Sequence, residues 1–187
     1  FALTAILGLV GGAILDLYSS GLALVSIGLP LKRPVAASID AVIMVLGTIY
    51  IVWFATDFSI PFQGFLITLG VPIAVWSAIF VADVMMRKVN YAESELFEPT
   101  GRYGSWNWHT QVIMVIGTFV GWGFVTNTFA SWLSWQGYFL NLLGGKSGPW
   151  GSSNIGVIFA LAIGFIGHIA LSRGRISQQE TLPSLDN

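Results

Sequence analysis

Five long apolar stretches, separated by short polar segments, set the pattern of the chain. Each can cross a hydrocarbon core of about 30 Å, which takes about 20 helical residues. Their boundaries fall at about 1–31, 35–54, 60–86, 110–128 and 155–171. Because an open strand edge leaves backbone groups unpaired in lipid, all five are predicted to be α-helices. The pattern predicts an all-α polytopic membrane protein with a transmembrane region over 1–172. Residues 173–187 are expected to form a polar tail that is disordered after Arg175.

Composition and charge narrow the function classes. Hydrophobic residues make up 55% of the chain and charged residues 9%, whereas soluble domains carry about 25% charged residues. The mean hydropathy of +0.76 also indicates that the chain lies in a lipid bilayer. The net charge of −1 argues against a nucleic-acid partner. The chain has no Cys and two His, which excludes disulfides and Cys-ligated metal sites, and we expect no enzyme activity.

The distribution of basic residues predicts the topology. Lys and Arg near helix ends favour the cytoplasmic side. Of the eight, seven fall on one side if the five spans alternate, and Lys146 falls on the other. The seven are Lys32, Arg33, Arg87, Lys88, Arg102, Arg173 and Arg175. The first span therefore runs inward, and the C-terminus is predicted to be cytoplasmic in a multi-pass protein of the cytoplasmic membrane. In this topology 87–108 forms an inner loop and 129–154 an outer loop.

The strongest candidate site lies in the middle of the first span. Asp16 is followed by Ser19 and Ser20, which places a carboxylate and two hydroxyls on one helix face. A carboxylate at mid-membrane is costly and by default marks a site. The three side chains predict a site for a cation such as Na⁺, for a transported proton, or for substrate. The alternative is structural, with both serines bonded back to helix carbonyls and a protonated Asp16 against a neighbouring helix.

The third span carries a candidate gate. Phe62, Phe65 and Leu66 enter from the outer side ahead of Pro72. A proline inside a helix frees a backbone carbonyl and permits a bend. Bending helices gate many transporters, but kinked helices also occur in static bundles, and both interpretations stay open. The three apolar residues, with Asp16, are the predicted substrate or gate residues.

Other patterns favour structural roles. Asp83 stands four residues before Arg87, as in an ion pair at a helix end. His109 and His168 lie near the inner ends of their spans, where a haem between them is the less usual alternative to two interfacial histidines. Small residues at four-residue spacing predict close helix contacts. These are Gly8, Gly12, Gly117, Gly121, Gly156, Ala160 and Gly164.

Two longer strings resemble a known family. The run LDLYSSGLALVSIGLPLKRPVAASID, Leu15 to Asp40, resembles the eighth helix and following loop of the purine/cytosine permeases, the nucleobase:cation symporter family. ADVMMRKVNYAESELFEPTGRYGSWNW, Ala82 to Trp108, is similar to the end of their tenth helix and its inner loop. The resemblance covers nearly the whole chain, in order. It implies a full protein of twelve helices, of which this chain supplies helices eight to twelve, with two inverted five-helix repeats among the first ten.

The resemblance also implies a function. In sodium-coupled relatives the eighth helix gives small and hydroxyl residues at i, i+3 and i+4 to the ion, and that spacing falls here on Asp16, Ser19 and Ser20. Asp16 departs from the small residue of that pattern, which leaves Na⁺ or H⁺ as the coupling ion. We expect a symporter for a nucleobase such as cytosine or a purine, without a cofactor, completed by N-terminal helices of the same protein. The alternatives are a membrane anchor or haem-bearing subunit of a redox complex, and a non-transporting structural fragment.

Overall fold

The computed structural model describes residues 1–26, 32–54, 57–96, 98, 100–129 and 131–182. Five α-helices occupy most of these ranges, and no strand occurs within them, which confirms the all-α prediction. They are α1 (Ala2–Ser26), α2 (Arg33–Trp53), α3 (Ser59–Met86), α4 (Trp108–Gly123) and α5 (Gly156–Thr181). Short 3-10 helices at Glu93–Glu95, Ser131–Leu133 and Leu140–Leu143 shape the two loops.

The chain divides into two compact units, Phe1–Phe58 and Ser59–Asn187. In the first, α1 packs against α2. Gly21 is buried at this contact, where a Cβ would lie 3.4 Å from the Cβ of Ala37. Ala36 is also buried, and most of the other side chains of both helices are exposed within the described chain. Such a pair of apolar helices has its outer surface available for lipid or for further helices.

In the second unit α3, α4 and α5 pack against one another around an apolar core. Val71, Val75 and Ile79 of α3 meet Ile113 of α4 and Ala160 of α5, all of them buried. Because these positions recur at four-residue steps along α3, one face of that helix is covered while its opposite face stays exposed.

Glycines bring these three helices close together, as their spacing predicted. A Cβ on Gly117 would lie 2.9 Å from Val75 Cγ1, and one on Gly164 would lie 2.7 Å from the Val75 carbonyl oxygen. A Cβ on Gly156 would overlap the carbonyl oxygen of Gly121. Gly8 and Gly12 do not make the predicted close helix contact, because a Cβ on either would meet no atom within 4 Å in the described chain.

The predicted span 110–128 is wrong at its outer end, because α4 stops at Gly123. Its last carbonyls bond outside the helix: Gly137 N–H donates to Trp122 O and Phe139 N–H to Gly123 O, both at 2.8 Å. With 16 residues, α4 is about 24 Å long, short of a hydrocarbon core of about 30 Å. Four helices, α1, α2, α3 and α5, are long and apolar enough to span a membrane.

The fifth helix is longer than its predicted span. α5 continues to Thr181, beyond the predicted end at 171. The predicted disorder after Arg175 is therefore wrong as far as Thr181, and residues 183–187 of the predicted tail lie outside the described residues. The first span likewise was predicted to reach residue 31, and residues 27–31 lie outside the described chain. The extension of α5 is long enough to pack along the inner loop.

Candidate functional site

The predicted ion-binding residues lie together on one uninterrupted helix. α1 runs unbroken through Asp16, Ser19 and Ser20, so the three share a face at i, i+3 and i+4. Asp16 and Ser19 are exposed and Ser20 is half-buried. Within the described chain none of the three side chains makes a hydrogen bond, so the serines do not bond back to α1 carbonyls as the structural alternative required. An ion or substrate at these oxygens stays a prediction.

The predicted gate residues lie on the N-terminal half of α3. Phe62, Phe65 and Leu66 are 42%, 47% and 50% exposed, and the helix continues through Pro72 without a break. They belong to the second unit and Asp16 to the first. Their joint role around one substrate therefore stays a prediction.

A polar cluster that sequence reasoning missed surrounds the carbonyl that Pro72 frees. Since Pro72 has no N–H, the carbonyl of Thr68 has no helical donor four residues ahead. The indole N–H of Trp122 donates to that oxygen at 2.8 Å, which replaces the missing helical bond. The only sequence signal was Pro72 itself, because the position of the Trp122 donor depends on the tertiary packing of α4.

Two buried amides complete this cluster. Asn127 donates through Nδ2 to Gly64 O at 2.8 Å, and Gln136 donates through Nε2 to Thr68 Oγ1 at 2.8 Å. The Thr68 hydroxyl donates in turn to Gly64 O. Both amides come from the segment after α4 and are nearly inaccessible, at 3% and 0% exposure. The N-terminal half of α3 is thus tied to the segment after α4 by side-chain bonds as well as by apolar packing.

A second polar cluster lies where the C-terminal end of α3 meets the C-terminal half of α5. Asp83 accepts hydrogen bonds from Arg87 Nε at 2.7 Å and from the Tyr91 hydroxyl. Its other oxygen lies 3.0 Å from His168 Nε2, and Ser172 Oγ lies 3.2 Å from His168 Nδ1. The predicted ion pair between Asp83 and Arg87 is confirmed, and the structure adds three more groups to it.

The electrostatics of this cluster favour a charged arginine and a neutral phenol. Burial lowers the pKa of Arg87, but its hydrogen bonds to Asp83 and Tyr91 outweigh burial and raise the pKa above its usual value. Burial raises the pKa of Tyr91, and the bond to Asp83 raises it further. The guanidinium of Arg87 also lies 4.5 Å from the centre of the Tyr91 ring, which adds a cation–π contact.

The extension of α5 holds the inner loop in place. Gln179 Oε1 accepts from Arg87 Nη2 at 3.0 Å, and Glu180 Oε1 accepts from the Lys88 backbone N–H at 2.6 Å. Within the loop, Arg102 pairs with Glu95 through two bonds of 3.0 and 3.1 Å, and Glu95 is only 1% exposed. The described part of the inner loop is therefore held by hydrogen bonds within the loop and to α5.

A signal for this arrangement was present in the sequence. His168, Ser172, Arg175 and Gln179 recur at steps of four, three and four residues. That spacing places them on one face of a helix that continues past the apolar run. A polar stripe of this kind predicts a helix packed against polar groups, which is what α5 does.

The histidines do not form a pair that could hold haem. His168 is 2% exposed and engages both ring nitrogens in contacts with Asp83 and Ser172. His109 is exposed at the start of α4. Haem iron needs a free imidazole nitrogen, and His168 offers none here. Within the described ranges, no group of three or more His, Asp or Glu residues could share a metal ion.

Comparisons with family models, curated proteins and solved structures found no match to this chain. The sequence resemblance to the nucleobase:cation symporters therefore stands as a hypothesis. What the structure contributes is an all-helical chain in which four helices are suited to a membrane.

Proposed function

We propose that this chain is the C-terminal part of a secondary active transporter that moves a nucleobase, such as cytosine or a purine, together with Na⁺ or H⁺. One observation carries the proposal: Asp16, Ser19 and Ser20 share a face of an apolar helix and have no side-chain partner in the described chain. A carboxylate within a membrane helix is stable only beside protein groups, water or an ion. The remaining helices of a twelve-helix symporter would supply such surroundings.

The chemistry of this face suits an ion-coupled transporter. A carboxylate and two hydroxyls are hard oxygen ligands, which suit a small cation, and the carboxylate alone can carry a proton. Nucleobases present ring and exocyclic N–H groups, which a carboxylate accepts. The resemblance of the segment Leu15 to Asp40 to the eighth helix of nucleobase symporters supports the same assignment.

The outer half of α3 supplies a candidate gate for the proposed transporter. Phe62, Phe65 and Leu66 present apolar groups ahead of Pro72, where the helix lacks one backbone hydrogen bond. Bending at that position would close the outer half over a substrate. Seven of the eight basic residues favour a cytoplasmic inner loop and C-terminus, so the gate would face the outside.

Uptake of radiolabelled cytosine, adenine and hypoxanthine would test the proposal. The full-length protein is expressed in cells that lack their own nucleobase uptake, as wild type, Asp16→Asn and Ser20→Ala. Ser38→Ala is a matched control, because Ser38 lies on α2 and bonds only to the Pro34 carbonyl in the described structure. We expect Asp16→Asn to abolish ion-dependent uptake, and Ser20→Ala to raise the ion concentration for half-maximal uptake about tenfold. Uptake with unchanged ion dependence in both variants would refute the ion site, and no uptake of any base by the wild type would refute the transporter.

A further inference from the structure

A cavity of about 440 Å³ lies between the inner loop and the last turns of α5. Its wall includes Arg102 and Tyr103 from the loop, His109 from the start of α4, and Arg175 and Gln178 from α5. No carboxylate is among its described lining residues. A cavity with two guanidinium groups and no acidic wall residue favours an anionic ligand.

The charge of Arg175 is not compensated within the described chain. Its guanidinium donates to the carbonyl of Tyr103 at 2.6 Å and to that of Trp106 at 3.5 Å, and it forms no salt bridge there. Arg102, in contrast, is paired with the buried Glu95. The carbonyl bonds fix the position of the Arg175 guanidinium while leaving its positive charge for a ligand. The N-terminus of α4, which begins at Trp108, adds a partial positive charge nearby.

Two features favour a position of the cavity at the depth of lipid headgroups. Trp106 and Trp108 are 62% and 64% exposed beside it, and exposed tryptophans favour the interface between hydrocarbon and water. Arg175 lies one turn beyond Leu171, where the apolar part of α5 ends. A free phosphate ion could reach the same cavity from solution, but the lipid phosphate is the anion that is concentrated at this depth.

We propose that this cavity binds the phosphate of an anionic membrane lipid, with Arg175 as its principal contact. His109 and the amide of Gln178 lie on the same wall and supply further hydrogen-bond donors. This site is separate from the proposed transport site, and it requires neither a nucleobase nor a coupling ion. The lipid proposal goes beyond the proposed function, and its test does not depend on whether the protein transports a nucleobase.

Native mass spectrometry of the purified protein in a neutral detergent tests the proposal, with phosphatidylglycerol and phosphatidylcholine of identical chains as probes. We expect retention of one phosphatidylglycerol at concentrations where phosphatidylcholine is not retained. Arg175→Gln should weaken phosphatidylglycerol binding about tenfold, the usual loss for one charge-assisted hydrogen bond. Arg173→Gln is the matched control, because this exposed arginine lies two residues away on α5 and lines a different cavity. It should change the affinity less than about twofold.

A second variant separates binding from folding. Gln178→Glu places a negative charge in the cavity at an exposed position whose side chain makes no hydrogen bond in the described structure, and it should weaken phosphatidylglycerol binding several-fold. Equal retention of the two lipids, or equal losses in Arg175→Gln and Arg173→Gln, would overturn the proposal. Unchanged binding in Gln178→Glu would also overturn it. Displacement of the lipid by an equal concentration of inorganic phosphate would assign the cavity to a free anion instead.

Discussion

The bond between Trp122 and the carbonyl freed by Pro72 gives the sharpest test of the structure. Trp122→Phe keeps an aromatic ring but removes the indole N–H that donates to Thr68 O at 2.8 Å. The partly buried carbonyl then loses this donor, which costs about 1–3 kcal/mol. A smaller loss comes from packing, because the Trp122 ring meets the Trp135 ring edge-on with centroids 5.5 Å apart.

A double-mutant cycle isolates the hydrogen-bond contribution. Pro72→Ala restores a backbone N–H four residues after Thr68, so that the carbonyl regains a helical donor. In the Pro72→Ala background, Trp122→Phe should cost only the packing difference. The expected coupling free energy is therefore about 1–3 kcal/mol, since the two residues act on one acceptor.

The assay is reversible unfolding in mixed micelles of a mild detergent and dodecyl sulfate. Helical circular dichroism is the appropriate signal, because the substitution itself changes tryptophan fluorescence. Four proteins are compared: wild type, each single variant and the double variant. If Trp122→Phe costs the same in both backgrounds to within about 0.5 kcal/mol, the indole does not replace the bond that Pro72 removes.

Three further predictions concern the packing and charge of the second unit. Gly156→Ala should destabilise the fold by about 1–3 kcal/mol, because its methyl group overlaps a backbone carbonyl of α4, whereas Gly8→Ala should be neutral or stabilising in the same unfolding assay. Arg102→Met should cost about 3–5 kcal/mol by removing the guanidinium that pairs with the buried carboxylate of Glu95, and a Glu95→Gln background should recover much of that loss. The pKa of Tyr91 is raised in the fold, so its contribution is present below about pH 10 and declines as pH rises through the raised pKa. Tyr91→Phe should flatten that alkaline decline, and an unchanged slope would contradict the assignment.

Hydrophobic patterning predicted the first three helices to within about two residues at the ends that the structure describes. The ends of α2 and α3, for example, are marked by polar residues on either side of apolar runs. The end of α4 was not predictable in this way, because Phe124 and Val125 continue the apolar run past Gly123. What ends that helix is a set of backbone bonds from Gly137 and Phe139, far along the chain.

In the polar clusters, too, the sequence predicted the contacts between residues close along the chain but not those between distant ones. The pairing of Asp83 with Arg87 follows from helix spacing, so the sequence predicted it. The contact of Asp83 with His168 joins residues 85 positions apart, and only the packing of α3 on α5 brings them together. Asp16 was identified because a carboxylate is rare in an apolar helix, a signal that does not depend on packing.

Pro72 divides α3 into two segments, and the segment before the proline can turn about it as a rigid unit. The inner end is fixed by the charges around Asp83, and the segment from Ser59 to Pro72 is about 20 Å long at the helical rise per residue. A bend of about 20° at the proline moves the tip by about 7 Å, which is wider than an aromatic ring. Asn127 and Gln136 bond to Gly64 and Thr68 within this segment, so a bend at Pro72 requires these two amides to move with the helix or to release it.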